Sequence, residues 1–251
     1  MNLTIYFSMK KILLFCAAAA ALVGCRNANP HIVQCELVPI DGQWNDSAMQ
    51  QLIEPYRQAQ TLQMSVVIGE SEQLMHAEKP EGLLNAFVSD AMFAYGNSLK
   101  QTDLAITNFG GLRNDLPQGP VTVGHVMQIM PFDNAIVLLE LSGTDMLRLA
   151  DAIAAKGGEV ETGMSLTIGK DGKAKNVLLG GQPIDTACTY RVITTDYLSY
   201  GNDHLEPLAS YKSIELPQIM LRDVLINAIS QQTAAGKTVS ATLKNQIHVE
   251  K

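Results

Sequence analysis

Clustered metal ligands are missing from this chain of 251 residues. Its five histidines fall at 31, 76, 125, 204 and 248, and its four cysteines form no Cys-x-x-Cys pair. Neither spacing matches a zinc or dinuclear site built from neighbouring ligands. An excess of cations is missing too. Eighteen Lys and Arg face 25 Asp and Glu, for a net charge of -7. Without such an excess the chain has no general means of neutralising DNA or RNA phosphates, so nucleic acid is excluded as a partner. A small anionic ligand is not excluded, because it needs only one or two local cations. No internal repeat is present, nor any low-complexity block beyond an N-terminal alanine run. With 47% hydrophobic and 17% charged residues, the chain suffices for one core of domain size.

The N-terminus has the pattern of a processing signal. Met9-Lys10-Lys11 supplies a positive start, and Ile12 to Ala21 an apolar stretch too short to span a bilayer comfortably. It ends in Leu22-Val-Gly-Cys25, which resembles the lipobox of bacterial lipoproteins, where cleavage precedes a cysteine that is then acylated. The expectation is a signal peptide over 1–24 with Met9 as its start, lipid on Cys25, a tether over 25–44 and one domain over 45–251. The alternative is an ordinary signal peptide with an incidental cysteine. Cys16 leaves with the signal. Cys35 and Cys188 remain in a compartment that permits disulfides; they either pair or stay as two small apolar residues.

Periodicity places the elements. Asp46 onward is helical through Met49, Leu52, Ile53 and Tyr56, with Pro55 inside. Met64 to Ile68 is expected as a strand. Leu84, Phe87, Val88, Ala91, Met92 and Tyr95 recur at the spacing of an amphipathic helix. Asp103 to Thr107 is expected as a buried strand. Thr122 is placed to cap a short helix through Met130, which Pro131 ends. A strand over Ala135 to Leu141 precedes a helix from Thr144 to Lys156, stopped by Gly157-Gly158. Met164 to Ile168 and Ala174 to Leu179 flank a hairpin turn at Gly169-Lys-Asp-Gly172. Tyr190 to Thr195 is a further strand, and Leu221, Val224, Leu225, Ala228 and Ile229 mark a last helix. Alternating helices and strands with a hairpin between them point to a mixed sheet with packed helices, α/β or α+β, rather than a doubly wound parallel sheet.

One loop carries most of the functional signal. Asn108-Phe-Gly-Gly-Leu-Arg113 puts an amide, two glycines and a guanidinium within six residues, and Pro131-Phe-Asp-Asn134 adds an aromatic ring and a second amide. Glycines let the backbone approach a ligand and accept positive φ. Asn and Arg hydrogen-bond heterocycles or phosphates, and Phe offers a flat face. These are the parts of a small-molecule pocket.

Seven stretches, in order, then carry a family likeness: Ile53-Glu-Pro-Tyr56, Asp90-Ala-Met92, Asn108-x-Gly-Gly-Leu-Arg113, Pro131-Phe-x-Asn134, Leu141-Ser-Gly143, Tyr190-Arg-Val192 and Asp196-Tyr-Leu-x-x-Gly-x-Asp203. From about Trp44 to Thr233 the chain resembles the C-terminal domain of the 5′-nucleotidase/UDP-sugar hydrolase family. That resemblance implies a mixed α/β domain that binds the nucleoside part of a nucleotide. It assigns Phe132 to stacking on the base, Asn108 and Asn134 to base contacts beside Gly110 and Gly111, and Arg113 to the ribose or phosphate side. Three positions depart from the family pattern: Leu205 stands where a second stacking aromatic is expected, Tyr211 near an acid expected to hold the ribose, and Pro80 near an upstream Arg, with Lys79 as a loose substitute.

In that family a separate N-terminal metallophosphoesterase domain holds two metal ions and hydrolyses the ester. Its Asp-x-His, Asn-His-Asp/Glu and His-x-His signatures are absent from this sequence, and Gly201-Asn-Asp-His204 fits the family's glycine-rich turn instead. The resemblance therefore implies a chain with no catalytic residue, cofactor or metal of its own. Divalent metals are expected in a separately encoded metallophosphoesterase partner, at the bacterial cell envelope. The alternatives are a free-standing nucleoside-binding lipoprotein or a scaffold with a degenerate pocket. His125 and His204 are expected to be exposed, and Asp203 to be structural in its turn.

Overall fold

The computed structural model describes residues 46–250. The expected signal peptide with its Met9 start, Cys16, Cys25 as the expected lipid site, the expected tether to residue 44 and Cys35 all lie outside the described residues. Two compact units divide the chain, Met1–Gln51 and Leu52–Lys251. Of the first, residues 46–51 are described and begin a helix, α1 (Ser47–Met64), that carries Pro55 inside it. The rest concerns the second unit. Among the described residues no helix is long and apolar enough to cross a membrane.

The centre of the fold is a five-stranded mixed sheet: β2 (Leu104–Thr107), β4 (Ile136–Ser142), β5 (Val160–Thr162), β9 (Thr189–Thr195) and β10 (Ser213–Glu215). Its order is β10-β4-β9-β2-β5, with β9 and β2 parallel and the other pairs antiparallel. Successive side chains of a strand point to opposite faces, and each central strand is apolar on both. Ile136 and Leu138 of β4, Ala105 of β2 and Ile193 of β9 face one core. Val137, Leu139 and Leu141, Leu104 and Ile106, and Val192 face a second.

Helices cover the first face. These are α2 (Leu83–Leu99), α3 (Val123–Ile129) and α6 (Leu221–Ala234). Helix α2 buries Leu84, Phe87, Val88, Ala91 and Met92, and α6 buries Leu221, Val224, Leu225 and Ile229. Both sets follow the spacing read from the sequence. Each of these side chains except Ala91 contributes about 1.5–3 kcal/mol of burial. Helix α4 (Gly143–Ala155) packs on the second face through Met146, Leu149, Ala150 and Ile153. That face also holds a smaller sheet of β6 (Met164–Ile168), β7 (Ala174–Leu179), β8 (Gln182–Pro183) and β11 (Ile247–Val249), in the order β11-β6-β7-β8. The β6–β7 hairpin turns at Gly169–Gly172, where Gly172 has φ 75.

One expectation is displaced. The strand foreseen over Met64 to Ile68 runs instead from Val67 to Ser71 (β1) and pairs with β3 (Gly119–Thr122), because Met64 still belongs to α1. Gly69, which reads as a strand breaker, is required here: a Cβ on it would lie 2.6 Å from Ile229 Cγ2 of α6.

Candidate functional site

Three loops meet at one edge of the large sheet. β2 and β9 run parallel and β4 runs against β9, so the ends of β2 and β9 lie beside the start of β4. Asn108 follows β2, Asn134 precedes β4, and Tyr197 follows β9 in the short helix α5 (Asp196–Ser199). The cleft between them has a volume of ≈ 300 Å³ and is lined by Asn108, Gly110, Gly111, Arg113, Phe132, Asn134, Tyr197 and Asp203. All six residues singled out in the sequence are brought together. Tyr197 was not foreseen, and Asp203 was assigned only to its turn. At ~300–1,000 Å³ for small-molecule sites in general, this cleft is at the small end.

The glycine loop is a 3-10 turn over Phe109–Gly111, closed by Gly111 N–H donating to Asn108 O at 3.0 Å. Neither Gly110 nor Gly111 has a positive φ, so it is the missing Cβ and not the tolerance of positive φ that matters here. A Cβ on Gly111 would sit 3.1 Å from Asn108 Oδ1, and one on Gly110 3.6 Å from its Nδ2. Gly111 keeps room for the Asn108 amide, whereas the Gly110 distance is an ordinary contact. Asn108 is 8% exposed, and its Oδ1 is buried without a hydrogen-bond partner. An unpaired buried acceptor costs about 1–3 kcal/mol, and in a native protein such an atom calls for a donor from outside the chain.

Charge is arranged on both sides of this loop. Behind it, the wholly buried Glu159 side chain accepts from Phe109 N–H through Oε2. Its Oε1 lies 2.8 Å from Lys156 Nζ, but hydrogen-bond geometry is not met there, so that contact is an ion pair. Lys156 also reaches Asp203, at 3.0 Å to Oδ2 and 2.6 Å to the main-chain O. Burial works against the Lys156 charge, yet its contacts with Glu159 and Asp203 outweigh it and hold the pKa above its ordinary value. Lys79 sits over the Phe109 ring at 5.2 Å and donates to Lys156 O at 2.6 Å. It is therefore engaged behind the loop and does not line the cleft. On the cleft side, Arg113 is exposed and forms no ion pair among the described residues; its side chain donates to Gly110 O at 3.4 Å and its main-chain N–H to Ile129 O at 2.9 Å.

The opposite wall is pinned from α6. Asp133, between Phe132 and Asn134, is ion-paired to Arg222, and Leu221 N–H donates to Asn134 O at 2.9 Å. Phe132 remains 43% exposed, as does Tyr197. Leu205, by contrast, is 0% exposed and belongs to the second core, against which Tyr211 also packs. Neither lines the cleft.

The other candidates fall elsewhere. His204 is exposed, as foreseen, and 3.9 Å from Glu206. His125 is half-buried rather than exposed, because its Nδ1 accepts from Thr122 N–H in the capping box that starts α3. Cys188 is free and exposed, with its thiol 3.5 Å from Asp185 Oδ2. Among the described residues no group of three or more His, Cys, Asp or Glu is placed to hold a metal ion.

Comparison with known proteins gives a consistent family signal. A family model described as 5′-nucleotidase, C-terminal domain, matches residues 65–210. The 5′-nucleotidase of Vibrio cholerae is 26% identical over 164 residues, which cover 63% of this chain and 30% of that protein. Protein UshA of Escherichia coli is 22% identical over 202 residues, 71% of this chain and 37% of UshA. The chain thus spans about a third of these relatives' length. Among solved structures, a 5′-nucleotidase precursor from Thermus thermophilus superposes with TM-score 0.70 at 23% identity, over 80% of this chain and 42% of that one. That superposition shows a shared fold.

Proposed function

This chain belongs to the 5′-nucleotidase C-terminal domain family, and on that premise we propose that it is the nucleotide-recognition component of a phosphohydrolase system in nucleotide catabolism. Hydrolysis falls to a separately encoded metallophosphoesterase carrying the divalent metals. One observation carries this reading: Asn108, Gly110, Gly111, Arg113, Phe132 and Asn134, from separate loops, line a single cleft. Phe132 offers a ring face to a base, and Asn108 and Asn134 offer amides to its edge. Arg113 carries a charge that no carboxylate of the described chain neutralises, which suits a phosphate or ribose oxygen.

In this scheme the chain performs no chemistry on the ester and requires no cofactor. Its contribution is to hold the nucleotide in register with the partner's metals, which removes part of the entropic barrier to attack by water. The lipobox-like Leu22-Val-Gly-Cys25 anchors the chain by lipid on Cys25 to the bacterial cell envelope.

Calorimetric titration of the mature protein with adenosine and adenosine monophosphate tests the site. Saturable binding that is lost for both ligands in Phe132→Ala and weakened for the monophosphate in Arg113→Ala supports it; affinity unchanged in both variants removes it.

A further inference from the structure

A flat ligand resting on Phe132 alone would leave its other face to water. Leu205 cannot cover that face, because it is fully buried in the second core. Tyr197 lines the same cleft as Phe132 and shares its 43% exposure. Its position is tightly specified. Asp196 Oδ1 accepts from Tyr197 N–H at 2.7 Å and from Ala135 N–H at 3.0 Å, and Ala135 directly follows Asn134. One carboxylate therefore fixes the spacing of the two aromatic-bearing loops. Asn202 Nδ2 holds Tyr197 O from the far side at 2.8 Å.

We infer that Tyr197 is the second aromatic wall of the site, covering the face of a heteroaromatic base that Phe132 leaves open. The inference rests on the nucleotide-recognition reading and adds a residue to it. Half-exposed apolar rings in a concave site are partly solvated when empty, and a planar ligand between them desolvates both. The phenol hydroxyl gives this wall a polar tip that a phenylalanine would lack. Asp196 is then a positioning residue, acting on the ligand only through Tyr197 and the loop before β4.

The test uses the full mature chain titrated with adenosine, read by calorimetry and by the fall in adenine absorbance on stacking. Tyr197→Ala is expected to weaken binding about tenfold and to reduce the absorbance change. Tyr197→Phe is expected to restore both, and Tyr197→Leu to recover affinity in part without the absorbance signal. Tyr200→Ala, a control at an exposed tyrosine outside the cleft, leaves binding intact. Wild-type affinity and absorbance in Tyr197→Ala, with binding lost in Phe132→Ala, overturns this inference and leaves nucleotide recognition standing. A wild-type chain that binds no adenosine at millimolar concentration overturns both.

Discussion

Lys156 is joined to Asp203 twice, through the carboxylate at 3.0 Å and through the main-chain oxygen at 2.6 Å. Asp203 has φ 57, a left-handed conformation that aspartate adopts more readily than most residues other than glycine. The lysine closing α4 thus holds the turn that contributes Asp203 to the cleft. Through Glu159 the same ammonium group is linked to the glycine loop on the other side. Two walls of the cleft therefore share one cation.

Lys156→Met is expected to be damaging. It leaves the Glu159 carboxylate wholly buried, with Lys79 at 3.9 Å as its nearest cation. Removing one partner of a buried pair costs about 3–5 kcal/mol. Lys156 itself keeps slight solvent access, with its side chain 16% exposed, so a loss near the lower end is expected. Urea denaturation measures it, and a loss below about 1 kcal/mol, the scale of a surface pair, would show that the network contributes little.

Asn108→Ala should separate binding from stability. Its Oδ1 is already unpaired in the free chain, so truncation removes a desolvation cost along with the side chain. Stability is expected to change by less than about 1 kcal/mol while nucleoside affinity falls by about tenfold. Gly111→Ala should lower affinity in the same direction, because its Cβ would crowd Asn108 Oδ1 at 3.1 Å. Parallel thermal melts and titrations check both, and equal losses in the two measurements would make Asn108 a structural residue.

Arg113→Ala is expected to affect nucleotides more than nucleosides. A guanidinium with no ion pair among the described residues is free to meet a phosphate, with charge-assisted hydrogen bonds of about 1.5–3 kcal/mol. Monophosphate affinity should fall and lose salt dependence, with adenosine affinity nearly unchanged. Arg113→Lys should recover the charge but not a two-pronged contact. Equal loss for both ligands would place Arg113 at the ribose.

Acid should favour the fold through Glu161. Burial, with Glu81 and Asp90 adding to it, pushes this carboxyl from its ordinary 4.5 up to about 8, against the opposing Met164 N–H and Lys244. Between those two values the folded chain keeps a proton that the unfolded chain has released, so stability declines as pH rises from about 4.5 to 8. The residue retains some exposure, and a contribution of about 2 kcal/mol is expected. Glu161→Gln should flatten that slope in denaturation curves taken across the window; an unchanged slope would refute the assignment.

Much of the fold is visible in single side chains. Leu84, Phe87, Val88, Ala91 and Met92 announce α2 by spacing alone, and Thr122 marks the start of α3 through its cap. β5, β10 and β11 have three residues each, too few for a period to register, and β3 begins with Gly119-Pro120, a pair that reads as a turn. The cleft residues on the two marked loops were legible because Asn, Gly, Arg and Phe cluster within a few positions. Tyr197 lies in the Asp196–Asp203 stretch, but nothing within that stretch assigns its ring to the cleft. It joins the site only because β9 lies between β4 and β2, a neighbourhood set by long-range pairing. Leu205 was placed near the site by family pattern, but its burial in the core takes it out.

Under the proposed function this polypeptide holds a nucleotide without cleaving it. The decisive measurement is phosphate release from adenosine monophosphate by the purified mature chain in the presence of manganese or magnesium, with and without a lone metallophosphoesterase. No release by the chain alone, and release when the second protein is added, is the result expected. Sustained metal-dependent release by the chain alone would contradict the account.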